Sequence, residues 1–223
     1  ISKLNMITIL IIALTSITSI MAFRDTSLMN KLIFYPPAVM QGQWYRLFSY
    51  GVLHADLTHL IFNMFTLYLF GTAVENIFKA TLGSDVGTIS FALLYILSLL
   101  VSILPTYNKQ KHNSYYRSLG ASGAVSAVVF AYILINPMSF MGIMFIPIML
   151  PAFLFGIIFI LISVKLEKTQ AGGINHSAHI AGGIFGLVMT IVIFISVSDI
   201  NLLQSFISQI RVSSLNDLIR FGY

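Results

Sequence analysis

Six long apolar segments limit what this chain can fold into. They cover residues 5–23, 57–78, 86–105, 120–136, 148–164 and 176–197. Each approaches or reaches the roughly 17 to 25 residues that cross the hydrocarbon core of a bilayer. Only 9% of the residues are charged, against about 25% in soluble domains. Because backbone polar groups in lipid must be paired internally, and no alternating barrel pattern is present, the sequence predicts an all-α membrane protein with six transmembrane helices.

The chain divides into a membrane domain and a short tail. We predict one six-helix transmembrane domain over residues 1–200 and an amphipathic tail over residues 201–223. Apolar residues recur at helical spacing in the tail, which indicates a helix on the membrane surface rather than a seventh span. The longest connection covers residues 24–56, and its aromatic residues, among them Trp44 and Tyr45, favour the headgroup level. We therefore expect this first loop to be associated with the membrane.

The composition also excludes some classes of partner. The chain contains no cysteine, which excludes disulfides and cysteine-based metal sites. The formal net charge of +5 is spread over many loops, and lipid headgroups are a sufficient partner for it. We therefore predict membrane lipids as partners, no nucleic acid and no cofactor. His59, His176 and His179 suggest a metal, but no carboxylate completes a ligand set, so we predict no metal.

A serine stands at the start of the fourth apolar segment, in the run Gly120-Ala-Ser-Gly123. Ser122 would lie in the first turn of a helix, where backbone N–H groups lack intrahelical partners. The positive end of the helix dipole also favours a developing negative charge there. These features suit a nucleophile whose reaction produces an oxyanion. The alternative is that the small residues only pack helices together, which is common in membranes.

Histidines occur on two other segments that start on the same side of the membrane. Consecutive segments cross the membrane in opposite directions, so the second, fourth and sixth segments all begin on the same side. His59 and Asn63 project from one face of the second helix, and His179 lies near the start of the sixth. Gly182 and Gly186 permit close helix packing, which would bring His179 toward Ser122 as a base for a nucleophile. The alternative is that His179 is a core histidine with its hydrogen bonds satisfied.

Four motifs follow one another in the chain: Trp44-Tyr-Arg46, His59-Leu-Ile-Phe-Asn63, Gly120-Ala-Ser-Gly123 and Ala178-His-Ile-Ala-Gly182. In this combination the chain resembles the rhomboid family of intramembrane serine proteases over nearly its whole length. The resemblance implies a bacterial-type six-helix core in a rhomboid-like bundle, with a site open to water on one face and to lipid at the side. It also implies a serine endopeptidase that cleaves peptide bonds in or near the transmembrane segments of membrane-protein substrates.

The resemblance carries over to single residues. Ser122 matches the nucleophile and His179 the base of a Ser–His dyad. His59, Asn63 and Gly120 match the side of the site that stabilises the oxyanion. Glu75 matches a structural acid near the far end of the second helix.

One position departs from the family pattern. Many family members carry a tyrosine one turn after the serine, which stacks on the histidine, and this chain has Ser126 there. His176 or a nearby aromatic side chain is then a candidate to hold the ring of His179.

Two other functions compete with proteolysis. A non-catalytic rhomboid-like protein would bind client membrane proteins, but such relatives typically lack the serine or the histidine, and this chain has both. A transporter with a polar site at the midplane would show interrupted helices in paired halves, which the sequence lacks. We therefore expect the protease.

The orientation in the membrane is predicted differently by two arguments. The resemblance implies a bacterial inner (cytoplasmic) membrane protein whose active site faces the extracytoplasmic side. The positive-inside rule predicts the opposite, because eight Lys and Arg residues fall on the side of Ser122: Arg24, Lys31, Arg46, Lys109, Lys111, Arg117, Lys165 and Lys168. We favour the first orientation, since these charges are spread over several loops.

Overall fold

A computed structural model describes residues 5–142, 146–169 and 174–221 of the chain. The fold is mostly helical. The longer helices are α1 (Met6–Ala22), α5 (Leu57–Thr66), α6 (Thr72–Leu82), α7 (Ser84–Gln110), α8 (Ser122–Ile135), α9 (Ala152–Thr169) and α10 (His176–Val197). A π-helical turn over Leu67–Gly71 joins α5 and α6 into one continuous helix, Leu57–Leu82.

Three helices in the described ranges are long and apolar enough to cross a membrane: Leu57–Leu82, Ser84–Gln110 and His176–Val197. Helices α1 and α8 are apolar but shorter, with 17 and 14 residues. Helix α9 has 18 residues and carries Lys165, Glu167 and Lys168 near its end. The predicted helical membrane fold is confirmed at this level, and the count of six spans stays a prediction.

Several helix boundaries depart from the predicted segments. Helix α8 begins at Ser122 rather than residue 120, because Gly120 has a φ of +115° that a right-handed helix excludes. The fifth segment was expected from residue 148, but Ile148–Pro151 forms a strand and α9 begins after Pro151. A proline inside the helix would remove a backbone donor and clash with the preceding turn. Helix α7 nevertheless continues past Pro105 to Gln110.

The first loop folds into an ordered layer of short helices. It contains α2 (Thr26–Leu32), α3 (Pro36–Met40), α4 (Arg46–Ser49) and a 3₁₀ turn, Tyr50–Val52. The buried guanidinium of Arg46 donates to Oε1 of Gln43 and to the backbone oxygens of Asn30 and Ile33. The hydroxyl of Tyr50 donates to the Leu99 carbonyl of α7 at 2.7 Å. These bonds tie the loop together and to the helices.

The tail is only partly helical. Helix α11 (Leu202–Gln209) lies against α8, with Leu202 buried and Leu203 and Ile207 exposed. The chain then returns through a 3₁₀ turn, Leu215–Asp217, to a short strand. Three antiparallel strands pair in the order β1 (Phe140–Gly142), β2 (Ile148–Pro151) and β3 (Arg220–Phe221). The expected amphipathic helix therefore covers the start of the tail alone.

A buried carboxylate ties α6 to the beginning of α1. Glu75 accepts hydrogen bonds from the Thr8 hydroxyl at 2.7 Å, the Thr8 N–H at 2.9 Å and the Ile7 N–H at 3.3 Å. The ammonium of Lys79, one turn later, pairs with the same carboxylate. Glu75 has no exposed surface, so these donors offset the cost of removing its charge from water.

Candidate active site

Ser122 is the first residue of α8, at the end of a loop with a fixed backbone. Phe34 and Ser118 form an antiparallel bridge, in which the backbone N–H of each donates to the carbonyl of the other. The Gly120 N–H donates to the Tyr50 carbonyl at 3.0 Å. The positive φ of Gly120 then turns the chain into α8. Ser122 consequently stands at the helix N-terminus, where backbone N–H groups are left without intrahelical partners.

His179 lies in the first turns of α10 and reaches Ser122. Its Nε2 is 2.7 Å from Oγ of Ser122, which is hydrogen-bond distance. Asn175 caps α10, because its side-chain oxygen accepts from the Ala178 N–H at 3.1 Å. The same oxygen accepts from the Thr106 hydroxyl of α7 at 2.9 Å. The structure thus brings together the two residues that the sequence pairs as nucleophile and base.

Glycines set the distance between α8 and α10. A Cβ on Gly182 would collide with the carbonyl oxygen of Gly123, and a Cβ on Gly186 would collide with that of Ala127. The two helix backbones are therefore in direct contact beside Ser122. This is the close packing that Gly182 and Gly186 predict.

Two rings contact the imidazole of His179. Phe159 of α9 lies nearly parallel to it, with ring centroids 6.2 Å apart and an angle of 29°. His176 meets it edge to face at 5.7 Å. Ser126, at the position where many family members have an aromatic residue, is buried within α8. Phe159 is the aromatic neighbour that the sequence could not name.

His59 and Asn63 line the same cavity as Ser122 but do not bond to it. A Cβ built on Gly120 would lie 2.8 Å from Cε1 of His59, so only glycine allows the ring to approach this closely. The Asn63 amide donates to the His59 carbonyl of its own helix at 3.0 Å. Among the described residues, no hydrogen bond joins either side chain to Ser122.

The ring of His54 packs against that of His59. His54 is fully buried, its Nδ1 is 3.0 Å from the Ser19 hydroxyl, and its ring meets that of His59 edge to face at 4.9 Å. Burial lowers the pKa of His54 to about 4, helped by His59 and opposed by Asp56. The ring is therefore neutral near pH 7, which suits its buried position.

The residues around Ser122 line a cavity of about 960 Å³. Ser122, His179, His59 and Asn63 line it, together with three charged residues at exposed or half-buried positions, Lys109, Arg117 and Glu167, which we call the rim. Glu167 accepts from the Lys109 ammonium and from the Ser177 N–H, both at 3.0 Å. The rim thus connects the ends of α7 and α9 to the start of α10. The volume of the cavity is in the range of sites that bind small ligands.

Several of these residues were not predicted from sequence. Asn175 had a usable signal, since an asparagine directly before an apolar run marks a helix N-cap. Glu167 and Phe159 had none, because their roles depend on how α9 packs against its neighbours. The same holds for His54, which lies in the folded first loop, and for Arg117, which lies between α7 and α8 and packs on Tyr35 of that loop.

Comparisons with known proteins agree on one family. The family model of the Rhomboid domain matches residues 41–196, more than half of the chain. The rhomboid-family protein YdcA of Bacillus subtilis (strain 168) is 31% identical over 115 residues, which are 52% of this chain and 50% of that protein. Rhomboid protease GluP of the same organism is 34% identical over 87 residues, 39% of this chain and 15% of the relative.

A third relative comes from a plant. RHOMBOID-like protein 12, mitochondrial, of Arabidopsis thaliana is 27% identical over 173 residues, which cover 72% of this chain and 49% of that protein. The chain spans about half the length, or less, of these three curated relatives.

Proposed function

Because this chain belongs to the rhomboid family, we propose that it is a serine endopeptidase that cleaves peptide bonds in or near transmembrane segments of membrane proteins. The observation that carries the proposal is the 2.7 Å distance between Oγ of Ser122 and Nε2 of His179. A hydroxyl at this distance from an imidazole is the arrangement of a nucleophile and its general base.

In this acyl transfer Ser122 is the nucleophile and His179 is the general base and then the general acid. His179 takes the proton from the hydroxyl as Oγ of Ser122 attacks the carbonyl carbon of the substrate peptide bond. The resulting imidazolium then protonates the leaving nitrogen as the C–N bond breaks, which leaves an ester on Ser122. A water molecule from the cavity, deprotonated by the same imidazole, hydrolyses this ester and restores both residues.

The negative oxygen of the tetrahedral intermediate needs donors that are in place before reaction. The N-terminus of α8 supplies the Ser122 N–H and the positive end of the helix dipole. We assign His59 and Asn63 as further donors on this side, because both line the cavity that contains Ser122. The absence of a side chain at Gly120 gives His59 its room. Phe159 and His176 hold the His179 ring in orientation by packing against it.

We extend the proposal to the arrangement in the membrane. Helices α1, α8 and α9 complete six spans with the three longer helices. The cavity opens where α5, α8 and α10 begin and where α7 and α9 end. The site faces the extracytoplasmic side of a bacterial inner membrane. Since the chain has no cysteine, a single Asn113→Cys substitution at the rim gives one label site. An impermeant maleimide added to intact cells should label it, and labelling only after lysis would reverse the orientation.

The proposed chemistry is tested by a labelled fluorophosphonate, which reacts covalently with an activated serine. Detergent-solubilised protein should be labelled, and Ser122→Ala and His179→Ala should not. Equal labelling of wild type and Ser122→Ala would refute the assignment of the nucleophile. No labelling of a folded wild-type protein would instead favour a rhomboid-like protein that binds membrane clients without cleaving them.

A further inference from the structure

The cavity of Ser122 contains a cation that no carboxylate of the described residues neutralises. Two of the charged residues in the cavity, Lys109 and Glu167, pair with each other at 3.0 Å. Asp56 is used as the cap of α5, where Oδ1 accepts from the His59 N–H at 2.7 Å. Arg117 also lines the cavity, and it forms no ion pair within the described part of the chain.

The side chain of Arg117 is held in place by contacts that involve no counter-ion among the described residues. Its guanidinium carbon lies 3.5 Å from the ring centroid of Tyr35, a cation–π contact. Its Nη1 donates to the carbonyl oxygens of Ser114 and Tyr116 at 2.9 and 3.1 Å. The adjoining backbone is fixed by the pairing of Ser118 with Phe34. Less conformational entropy is therefore lost when this group binds a ligand.

Arg117 uses fewer of its donor nitrogens than the buried Arg46 does. Arg46 shows the structural case, since it is buried and its Nε and Nη1 donate to three acceptors of the first loop. Arg117 is exposed and lines the cavity, and its Nε and Nη2 have no hydrogen-bond partner among residues 5–142, 146–169 and 174–221. A guanidinium with free N–H groups binds a carboxylate with good geometry.

We propose that Arg117 binds an acidic side chain of the substrate, close to the peptide bond that Ser122 attacks. This inference rests on the proposed protease function, and it adds a substrate class to it: membrane proteins with an Asp or Glu in the polar segment next to the cleaved bond. The ligand is a substrate carboxylate rather than a lipid phosphate because Arg117 lines the cavity of Ser122 and His179. A residue that attracts headgroups alone has no need to lie there.

Binding can be measured apart from cleavage by using Ser122→Ala protein in nanodiscs of neutral phosphatidylcholine. The probes are labelled transmembrane peptides in pairs that carry Asp or Asn at one position, scanned along the polar flank. At the position that meets Arg117, the Asp peptide should bind roughly three- to tenfold more tightly than the Asn peptide, as for a partly exposed charge-assisted pair. In an Arg117→Gln background this ratio should fall to about one, and Arg117→Lys should retain part of it.

Lys111→Gln is the matched control, because Lys111 belongs to the same loop but does not line the cavity. It removes the same charge and should leave the Asp-to-Asn ratio unchanged. Thermal unfolding of each variant shows that it is folded. A ratio of one at every scanned position, an unchanged ratio in Arg117→Gln, or an equal loss in Lys111→Gln would each overturn the proposal.

Two further outcomes separate this proposal from its alternatives. If Arg117→Gln weakens binding to phosphatidylglycerol vesicles but leaves the peptide ratio unchanged, Arg117 is a lipid contact and the proposal is wrong. If the ratio depends on Arg117 while the protein with Ser122 intact cleaves no peptide, the acidic-ligand site stands and the protease function fails.

Discussion

No side chain fits between Gly182 of α10 and Gly123 of α8, since a Cβ on Gly182 would collide with the Gly123 carbonyl. Gly123 directly follows Ser122, and Gly182 lies three residues, or about one helical turn, after His179. The glycine contact therefore lies beside the proposed Ser–His pair. The approach of the two backbones sets the separation at which Nε2 of His179 reaches Oγ of Ser122 at 2.7 Å.

A Gly182→Ala substitution should therefore separate α8 from α10. We expect a loss of roughly 1 to 3 kcal/mol in unfolding free energy, as for an overpacked interior, and a larger relative loss of peptide cleavage. Thermal unfolding in detergent and cleavage of a transmembrane substrate measure the two effects. Val188→Ile adds one methylene to the exposed face of the same helix and should change neither. Normal activity in Gly182→Ala would show that the contact does not position His179.

Asn63→Ala should lower kcat by roughly ten- to a thousandfold with little change in KM, because one of several proposed oxyanion donors is lost. Steady-state cleavage kinetics separate the two parameters. Asn108→Ala removes an amide from an exposed position of α7 outside the cavity and serves as the control. A large rise in KM at unchanged kcat would make Asn63 a binding residue instead.

Activity should decline as pH falls through the pKa of His179, since only the neutral imidazole accepts the serine proton. Histidine is the side chain whose ordinary titration falls between about pH 5 and 8. His59 and His176 also lie near this ring, so the profile of kcat/KM should be repeated with His176→Gln. Survival of the acidic limb in that variant is expected. A rate that stays constant from neutral pH down to the onset of acid unfolding would contradict a histidine base.

Parts of the fold and of the candidate site could be predicted where they depend on the spacing of residues within one helix. The position of Ser122 near a helix start, the two glycines of α10 and the pairing of His59 with Asn63 on one face all follow from spacing. Phe159 and Glu167 could not be found this way, since one phenylalanine among many in an apolar helix carries no mark of its neighbour. The start of α8 was predicted two residues too early, because the positive φ of Gly120 is a property of the folded loop.

Stability should depend on the buried carboxylate of Glu75. Glu75→Gln keeps the shape but removes the charge that meets the donors of Thr8, Ile7 and Lys79. We expect a loss of roughly 1.5 to 3 kcal/mol in unfolding free energy, the range for hydrogen bonds to a charged group. Asp85→Asn makes the same change at an exposed site and should cost less. Equal unfolding midpoints for the two variants would remove Glu75 as a link between α6 and α1.

The most direct test of the account is cleavage of a transmembrane substrate by purified protein in liposomes, compared with Ser122→Ala. The substitution replaces one small residue by another at a helix start, so the variant should fold with an unchanged unfolding midpoint. We predict that wild-type protein cleaves the substrate and that Ser122→Ala and His179→Ala produce no fragments above background. Cleavage by folded Ser122→Ala at a rate near that of the wild type would contradict the assignment of Ser122 as the nucleophile.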